Sequence, residues 1–182
     1  LRELFKVKTL IPELYDYYHD WYHAAIREVI KKGKVKNDPS AIAKSLVPAI
    51  SEDEAKKSVT LLKKLNFVIE SDNMMLEACE PGEVDITSSE MAQKIHFEQM
   101  AELAAQSLYT QGPETQEFES VTISLPKDKI GELKRKIQEL VAELGNADGA
   151  SQDGAVFQLN VQLFALTKEK ERREEVESAI VA

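Results

Sequence analysis

The chain has 182 residues, 43% of them hydrophobic and 30% charged, which is ordinary for a globular protein with one large domain or two small ones. No apolar run approaches the roughly 18 residues that a membrane helix needs, and the N-terminus lacks the apolar block of a secretory signal. A single cysteine, Cys79, excludes a disulfide framework and a cysteine-rich zinc site, so we expect a cytoplasmic protein with no membrane partner.

The net charge of −9 is unevenly placed along the chain. Residues 1–80 hold 13 Lys and Arg against 13 Asp and Glu, whereas residues 81–182 hold 10 against 19. Because affinity for phosphates comes from Lys and Arg, the acidic second half would repel nucleic acid. If DNA is a partner, we expect the first half to bind it.

The N-terminal part predicts a short lead-in followed by one long helix. Residues 1–10 are interpreted as a linker or the end of a preceding domain, and the start at Leu1 rather than Met leads us to expect a preceding segment. From Pro12 to Lys32, apolar residues recur at spacings of three and four, which is one helical face. The first half of this helix is rich in aromatic side chains, for which we favour packing in a core or a dimer over a ligand pocket. These aromatic residues are Tyr15, Tyr17, Tyr18, Trp21 and Tyr22.

Downstream of this helix, the sequence predicts two short helices, a turn and a hairpin, which is the order of a winged helix-turn-helix. Asp38 offers a cap, and Pro39 suits the first helical position. Ser51 and Glu54 have the spacing of a capping box, which opens the next helix. Two β-capable runs joined by turn-forming residues follow that helix. We therefore predict a winged helix-turn-helix domain over residues 11–80.

A Pro-Gly pair at residues 81–82 marks the predicted end of this domain. Beyond it, a capping box at Thr87 precedes a helix of about 20 residues with an apolar stripe. We interpret residues 81–182 as a helical connector followed by an α/β module for dimerisation or sensing, ending in a charged helix or tail over residues 169–182. The inward-facing residues predicted for the connector helix are Met91, Ile95, Met100, Leu103, Ala104 and Leu108.

The α/β module is predicted as a strand, a helix and a strand. Residues 118–125 and 157–165 alternate apolar and polar side chains, as half-buried strands do, and residues 126–144 between them have helical periodicity. Because a two-stranded sheet is marginal alone, we expect further strands from the wing, from residues 1–10 or from a second copy of the chain. The predicted fold class is α+β, with a winged helix-turn-helix followed by a long helix and a small strand–helix–strand module.

The helix that opens at Ser51 is the candidate DNA-binding element, because the second helix of a helix-turn-helix enters the major groove. Its outer face is basic, but its first turn carries Glu52, Asp53 and Glu54, which lie badly against phosphates. These two features leave DNA binding and protein contact evenly balanced. The candidate DNA-binding residues are Lys56, Lys57, Thr60, Lys63 and Lys64.

The histidines and the single cysteine are the residue types that could bind a metal or act as a nucleophile. His19 and His23 lie four residues apart on one helix face, and His96 could complete a metal site. A zincin would need glutamate at position 20, where Asp20 stands, so we predict neither a metal nor a cofactor. Cys79 has no spaced partner, and the chain has no glycine-rich phosphate loop. We therefore predict a binding protein rather than an enzyme.

Several short strings run from the first helix to the final strand, namely Trp21-Tyr22-His23, Ala25-Ile26-Arg27-Glu28, Ile42-Ala43, Glu54-Ala55, Leu62 with Leu65, His96 with Met100 and Ala104, and Val156 through Phe164. Together they resemble a bacterial family of unknown function whose members are described as transcriptional regulators. The resemblance covers nearly the whole chain and implies no catalytic residue. Members often carry a further N-terminal helix-turn-helix, which agrees with the start at Leu1. One departure is Ala165, where the family pattern leads us to expect proline.

The resemblance also draws attention to polar and aromatic residues on the first helix and on the helix after Thr87. We interpret them as a contact network that joins the two helices, with the arginine paired to a carboxylate. A small-molecule or metal sensor at the same place is the alternative. The residues are Tyr18, Trp21, His23, Arg27, Glu28 and His96.

These observations predict the C-terminal part of a non-catalytic transcriptional regulator, with DNA and a second copy of the chain as its candidate partners. The alternative is a protein-interaction or homodimerisation module that does not itself bind DNA. The sequence identifies no small-molecule effector.

Overall fold

A computed structural model of the chain describes residues 13–33, 35–79, 90–145 and 154–167. The described residues fall into two units, one within Leu1–Thr122 and Asn146–Asn160 and the other within Ile123–Gly145 and Val161–Ala182. Several predicted features lie outside the described residues: the linker at 1–10, the boundary at 81–82, the capping box at Thr87 and the tail at 169–182.

The first predicted helix is divided in two. Helical residues 13–19, called α1, are followed by a bend, and α2 then spans Tyr22–Lys31. Trp21 caps α2 without a side-chain hydrogen bond of its own, so the break needs support from elsewhere in the fold. The prediction of one continuous helix was wrong because apolar periodicity is the same on both sides of a short bend.

Helices α3, Pro39–Lys44, and α4, Glu52–Lys64, begin where the capping signals predicted. The Asp38 carboxylate accepts hydrogen bonds from the backbone N–H groups of Ser40 and Ala41. Ser51 and Glu54 form the complete capping box, in which each side chain bonds to the other residue's backbone N–H. Such caps stabilise a helix by about 1 kcal/mol each, which fixes the position of the turn between α3 and α4.

Three short strands form one antiparallel sheet in the order β1-β3-β2. Strand β1 is Val35–Lys36, β2 is Val68–Glu70 and β3 is Met75–Ala78. The predicted hairpin is confirmed as β2 and β3, and β1 adds to its far edge with Val35 opposite Leu76. The sheet therefore ties the chain that precedes α3 to the chain that follows α4.

One hydrophobic core joins α1 through β3. Its branched side chains are almost fully buried, and each contributes about 1.5–3 kcal/mol relative to an exposed one. Beyond the end of α3 at Lys44, Leu46 is buried in this core, whereas Val47 is 66% exposed. The core residues are Leu14, Tyr22, Ile26, Ile30, Ile42, Ala43, Leu46, Ala55, Val59, Leu62, Leu65, Phe67, Val68 and Leu76.

Helix α5, Glu90–Thr110, has the predicted length. It buries Ala92 and Met100, whereas Met91 and Leu108 are exposed, contrary to the prediction. The helix therefore packs along a narrower stripe than its apolar content suggested. Within the described residues, none of the helices combines the length and the apolar composition that crossing a membrane requires.

Helix α6, Lys127–Gly145, confirms the predicted helix of the C-terminal module, yet none of its residues is buried. The strands predicted at residues 118–125 and 157–165 are not formed, although both ranges are described. A strand exists only where a second backbone pairs with it, and the described part of this chain supplies none. The α+β class is confirmed, while the strand–helix–strand module is wrong for the single chain.

Candidate functional site

The outer face of α4 carries all five residues that the sequence suggested for DNA binding. Lys56, Lys57, Thr60, Lys63 and Lys64 are exposed, while Ala55, Ser58, Val59 and Leu62 on the opposite face are buried. The burial of one face holds the helix in place, so the outer face is presented to solvent in a fixed orientation.

Two of the four lysines on this face already have acidic partners. Lys63 forms an ion pair with Glu70 of β2, and Lys64 lies 2.7 Å from the Glu13 carboxylate of α1. The hydrogen bond from Lys63, together with one from Asn37, holds the pKa of Glu70 below its ordinary value. These pairs reduce the positive charge that the C-terminal end of α4 offers to a phosphate.

The remaining basic charge lies one turn into α4. Lys56 and Lys57 form no ion pair within the part of the chain that the structure describes. Glu54 precedes them, and its pKa is lowered by the hydrogen bonds that it receives from Ser51 in the capping box. The charge of Lys57 contributes to that lowering, so Glu54 offsets part of it. Lys56 and Lys57 still carry the positive charge of this face that no ion pair engages within the described residues.

Behind this surface, His23 of α2 contacts Ser58 of α4 within the core. The imidazole Nδ1 lies 2.8 Å from the Ser58 hydroxyl, and the Nε2 lies 3.8 Å from the Asp20 carboxylate. The set contains the residue types of a Ser-His-Asp triad, but Ser58 is 0% exposed. A hydroxyl that no substrate can reach does not act as a nucleophile, so the contact holds α2 against α4.

Arg27 lies on the same side of α2 among aromatic rings. Its guanidinium lies 5.3 Å from the Phe67 ring centre, and Tyr17 meets the same ring edge-on at 5.2 Å. Burial raises the pKa of Tyr17 to about 12, although the nearby Arg27 lowers it. The predicted carboxylate partner is Glu28, at a long N···O distance of 3.7 Å. Arg27 Nε is buried and makes no hydrogen bond within the described residues.

A second group of contacts joins the α1–α2 bend to α5. The backbone N–H of Trp21 donates to Gln99 Oε1 at 2.9 Å, and Gln99 Nε2 donates to the carbonyl of His19. The rings of Tyr18 and His96 meet edge-on at 5.7 Å. Burial raises the pKa of Tyr18 and lowers that of His96. Gln99 thus caps a helix that belongs to a distant part of the chain.

The six residues of the predicted network therefore separate into two groups. Tyr18, Trp21 and His96 lie where α1 and α2 meet α5. His23 instead contacts Ser58 of α4, and Arg27 lies over the Phe67 ring with Glu28 beside it. Within the described ranges, no three His, Cys, Asp or Glu side chains lie close enough to hold a metal ion.

The sequence interpretation missed four residues of these contacts. Ser58 falls three residues after Ala55 on the buried face of α4, so its spacing could have revealed it. Phe67 and Tyr17 were recognised only as apolar or aromatic residues. Gln99 carries no local signal, because its partners are some 80 residues away in sequence.

The chain matches, over residues 3–166, the family described as Domain of unknown function (DUF4423). It belongs to that family. The DUF4423 region includes every described element, from α1 to α6, and both contact groups around α2. No curated protein and no solved structure matches the chain.

Proposed function

We propose that this chain is a non-catalytic region of a bacterial transcriptional regulator, in which residues 35–79 form a winged helix that binds DNA through α4. The order β1-α3-α4-β2-β3 and the antiparallel sheet support this proposal. In a helix-turn-helix the second helix lies in the major groove, and here that helix is α4. The hairpin of β2 and β3 is the wing.

The observation that carries the proposal is the pair of exposed lysines near the start of α4. The N-terminal residues of a recognition helix come nearest the bases and the flanking phosphates. Lys56 and Lys57 lie in the second turn of α4 and form no ion pair within the described residues, although the charge of Lys57 acts on Glu54. Each phosphate that a lysine neutralises releases counterions and favours binding.

The acidic residues of the preceding turn limit the expected affinity for DNA. Glu52 and Asp53 are exposed beside Lys56 and Lys57 and would repel phosphates. Lys63 and Lys64 already form ion pairs with Glu70 and Glu13, so they add little to the affinity for DNA. We therefore expect affinity in the range of ordinary non-specific binding or modestly above it, about 10⁻⁴–10⁻⁶ M at physiological salt.

Fluorescence anisotropy with a labelled random-sequence duplex tests this proposal at low salt. The variants Lys56→Glu and Lys57→Glu should each weaken binding at least severalfold, because each replaces an attraction by a repulsion. Lys94→Glu is the matched control, since Lys94 is an exposed lysine of α5 that is already paired with Glu90. Absence of binding by the unaltered chain at low salt would rule out α4 as the DNA reader.

A protein-interaction module is the second candidate function. Its support is that Ile69 and Met74, on β2 and at the hairpin turn, are each 54% exposed, while the adjoining α4 surface is partly neutralised by ion pairs. A surface that combines apolar and charged side chains is typical of protein–protein interfaces, whereas apolar side chains contribute little to affinity for DNA. Substitution of Ile69 and Met74 by Ser would weaken protein contact and leave DNA affinity unchanged, which separates the two functions.

A further inference from the structure

One acidic side chain of the wing contacts the C-terminal end of α4. Glu70 is the last residue of β2, and its carboxylate forms an ion pair with Lys63 in the last turn of α4. The same carboxylate accepts a hydrogen bond from the side-chain amide of Asn37 at 2.9 Å. The two donors use different oxygens, Oε1 for Asn37 and Oε2 for Lys63. Glu70 is therefore held beside α4 by donors from two separate parts of the chain.

The surroundings of Glu70 are themselves ordered. The backbone N–H of Asn37, directly after β1, donates to the Met74 carbonyl at 2.7 Å. The backbone of Glu70 lies in the ladder between β2 and β3, opposite Leu76. The hydrogen bonds from Lys63 and Asn37 hold the pKa of Glu70 below its ordinary value, so its carboxylate is charged at neutral pH. Lys63 thus faces a fixed anion of the protein itself.

Lys63 lies on the same stripe of α4 as Lys56. Lys56, Thr60 and Lys63 follow one another at spacings of four and three, which places them on one side of the helix. Seven residues of an α-helix rise about 10 Å. The major groove is about 12 Å wide and has phosphates on both flanks. When this stripe lies against a duplex, the side chain of Lys63 comes near a phosphate two helical turns away from Lys56.

The wing supplies no basic residue of its own. Residues 67–78, which span β2, the turn and β3, contain Glu70, Asp72 and Glu77 but no Lys or Arg. Such a hairpin does not attract phosphates, because that attraction comes from Lys and Arg. The ion pair of Glu70 instead engages a lysine of α4. The wing therefore changes the charge that α4 presents and adds no positive charge to it.

A carboxylate and a phosphate are alternative partners for the same ammonium group. Both accept hydrogen bonds from Lys, and both are attracted by its charge. The Lys63 side chain is 41% exposed, so a phosphate can approach it without a rearrangement of the core. Exposed ion pairs contribute little to stability, and one anion can replace another at small cost. Binding of a phosphate to Lys63 then leaves the Glu70 carboxylate next to the duplex, where it repels the backbone.

We propose that Glu70 competes with the DNA backbone for Lys63, so that the wing limits the affinity of α4 for DNA. This inference rests on the proposed function, because it requires a duplex on the outer face of α4. It assigns the wing an inhibitory contact with α4. The affinity that α4 can reach is therefore higher than the affinity of the unaltered chain.

Glu70→Gln tests the competition because it removes the charge and retains an oxygen that accepts from Asn37. Anisotropy with a labelled random-sequence duplex should show a severalfold gain in affinity at low salt. The slope of log affinity against log salt should become steeper by about 0.9, the value for one additional phosphate contact. Asp72→Asn is the matched control, since Asp72 lies in the same hairpin and forms no ion pair within the described residues. It should leave the slope unchanged, and circular dichroism of both variants should match that of the unaltered chain.

A double-mutant cycle separates competition for Lys63 from general repulsion by an acidic residue. Lys63→Ala should change DNA affinity little in the unaltered chain, where Glu70 already engages the lysine. In the Glu70→Gln background, Lys63→Ala should lower affinity severalfold and remove the added slope. Equal effects of Lys63→Ala in the two backgrounds would overturn the proposal, because Glu70 would then act without Lys63.

The same measurements distinguish failure of this inference from failure of the proposed function. If the unaltered chain binds DNA and Lys56→Glu weakens binding, the proposed function stands. An unchanged affinity and slope in Glu70→Gln would then overturn only the competition. If neither the unaltered chain nor Glu70→Gln binds the duplex at low salt, the proposed function fails and the competition fails with it.

Discussion

His23 and Ser58 join α2 to α4 through a 2.8 Å contact between the imidazole Nδ1 and the hydroxyl Oγ, and both side chains are buried. This is a polar contact inside a core that is otherwise apolar. Buried polar groups are stabilising when paired and costly when one partner is removed. The pair therefore fixes the position of α4 relative to α2, and with it the orientation of the proposed DNA-binding face.

Removal of the Ser58 hydroxyl should destabilise the fold. Ser58→Ala leaves His23 Nδ1 buried without its partner, and we expect a loss of about 1–3 kcal/mol in the free energy of unfolding. Chemical denaturation monitored by circular dichroism measures it. Ser107→Ala is the control, because the Ser107 hydroxyl only donates to the Ala104 carbonyl within α5, and its loss should cost no more than about 0.5 kcal/mol. Equal stability of the two variants would show that the His23–Ser58 contact is not structural.

Stability should fall on mild acidification. Burial lowers the pKa of both His23 and His96 below the ordinary value of 6.5, although Asp20 and Asp16 partly oppose the effect at His23. Between pH 6.5 and the lower folded-state values, the unfolded chain binds more protons than the folded one, so the free energy of unfolding decreases as pH falls. The stabilising carboxylates lose their contribution only below their ordinary pKa of 4.5.

Between pH 6.5 and 4.5, the change in the free energy of unfolding therefore comes mainly from the histidines. Denaturation at several pH values should show a decline for the unaltered chain and a shallower one for His23→Gln, which retains a polar group beside Ser58. In the double variant His23→Gln/His96→Gln, the decline in the free energy of unfolding should be smaller still. A free energy of unfolding that stays constant or rises in this window would contradict the burial of neutral imidazoles.

Loss of the Gln99 side chain should loosen the α1–α2 bend. Gln99→Ala removes the acceptor of the Trp21 N–H and the donor to the His19 carbonyl. We expect a cost of about 1–3 kcal/mol and faster hydrogen exchange at the Trp21 amide. Gln106→Ala, on the exposed part of the same helix, should change neither quantity. Unchanged exchange at Trp21 in Gln99→Ala would mean that another group supports the bend.

The sequence allowed the local elements of the first unit to be predicted, because their signals are local. Asp38, Ser51 and Glu54 act as caps where their spacing indicated, and the hairpin follows α4 as its turn residues suggested. The five candidate residues of α4 were placed on its outer face by helical periodicity alone, and they lie there.

The remaining features depend on contacts between distant residues. The bend before α2 is supported by Gln99, and the ion pairs of Lys63 and Lys64 involve β2 and α1. No local sequence pattern predicts such partners. The sequence alone therefore overstates the positive charge that α4 offers to a phosphate. The two segments predicted as C-terminal strands alternate apolar and polar side chains, but neither forms a strand in the described chain. Periodicity shows which face of a strand would be buried, and it does not supply the second backbone that a strand needs.

The salt dependence of DNA binding tests the central claim most directly. If Lys56 and Lys57 each neutralise one phosphate, the slope of log affinity against log salt for the double variant Lys56→Ala/Lys57→Ala should be shallower by about 1.8 than that of the unaltered chain. The double variant Lys129→Ala/Lys136→Ala removes two exposed lysines of α6 and should retain the original slope. Equal slopes for the unaltered chain and the Lys56→Ala/Lys57→Ala variant would contradict the account of α4 as the DNA-binding element.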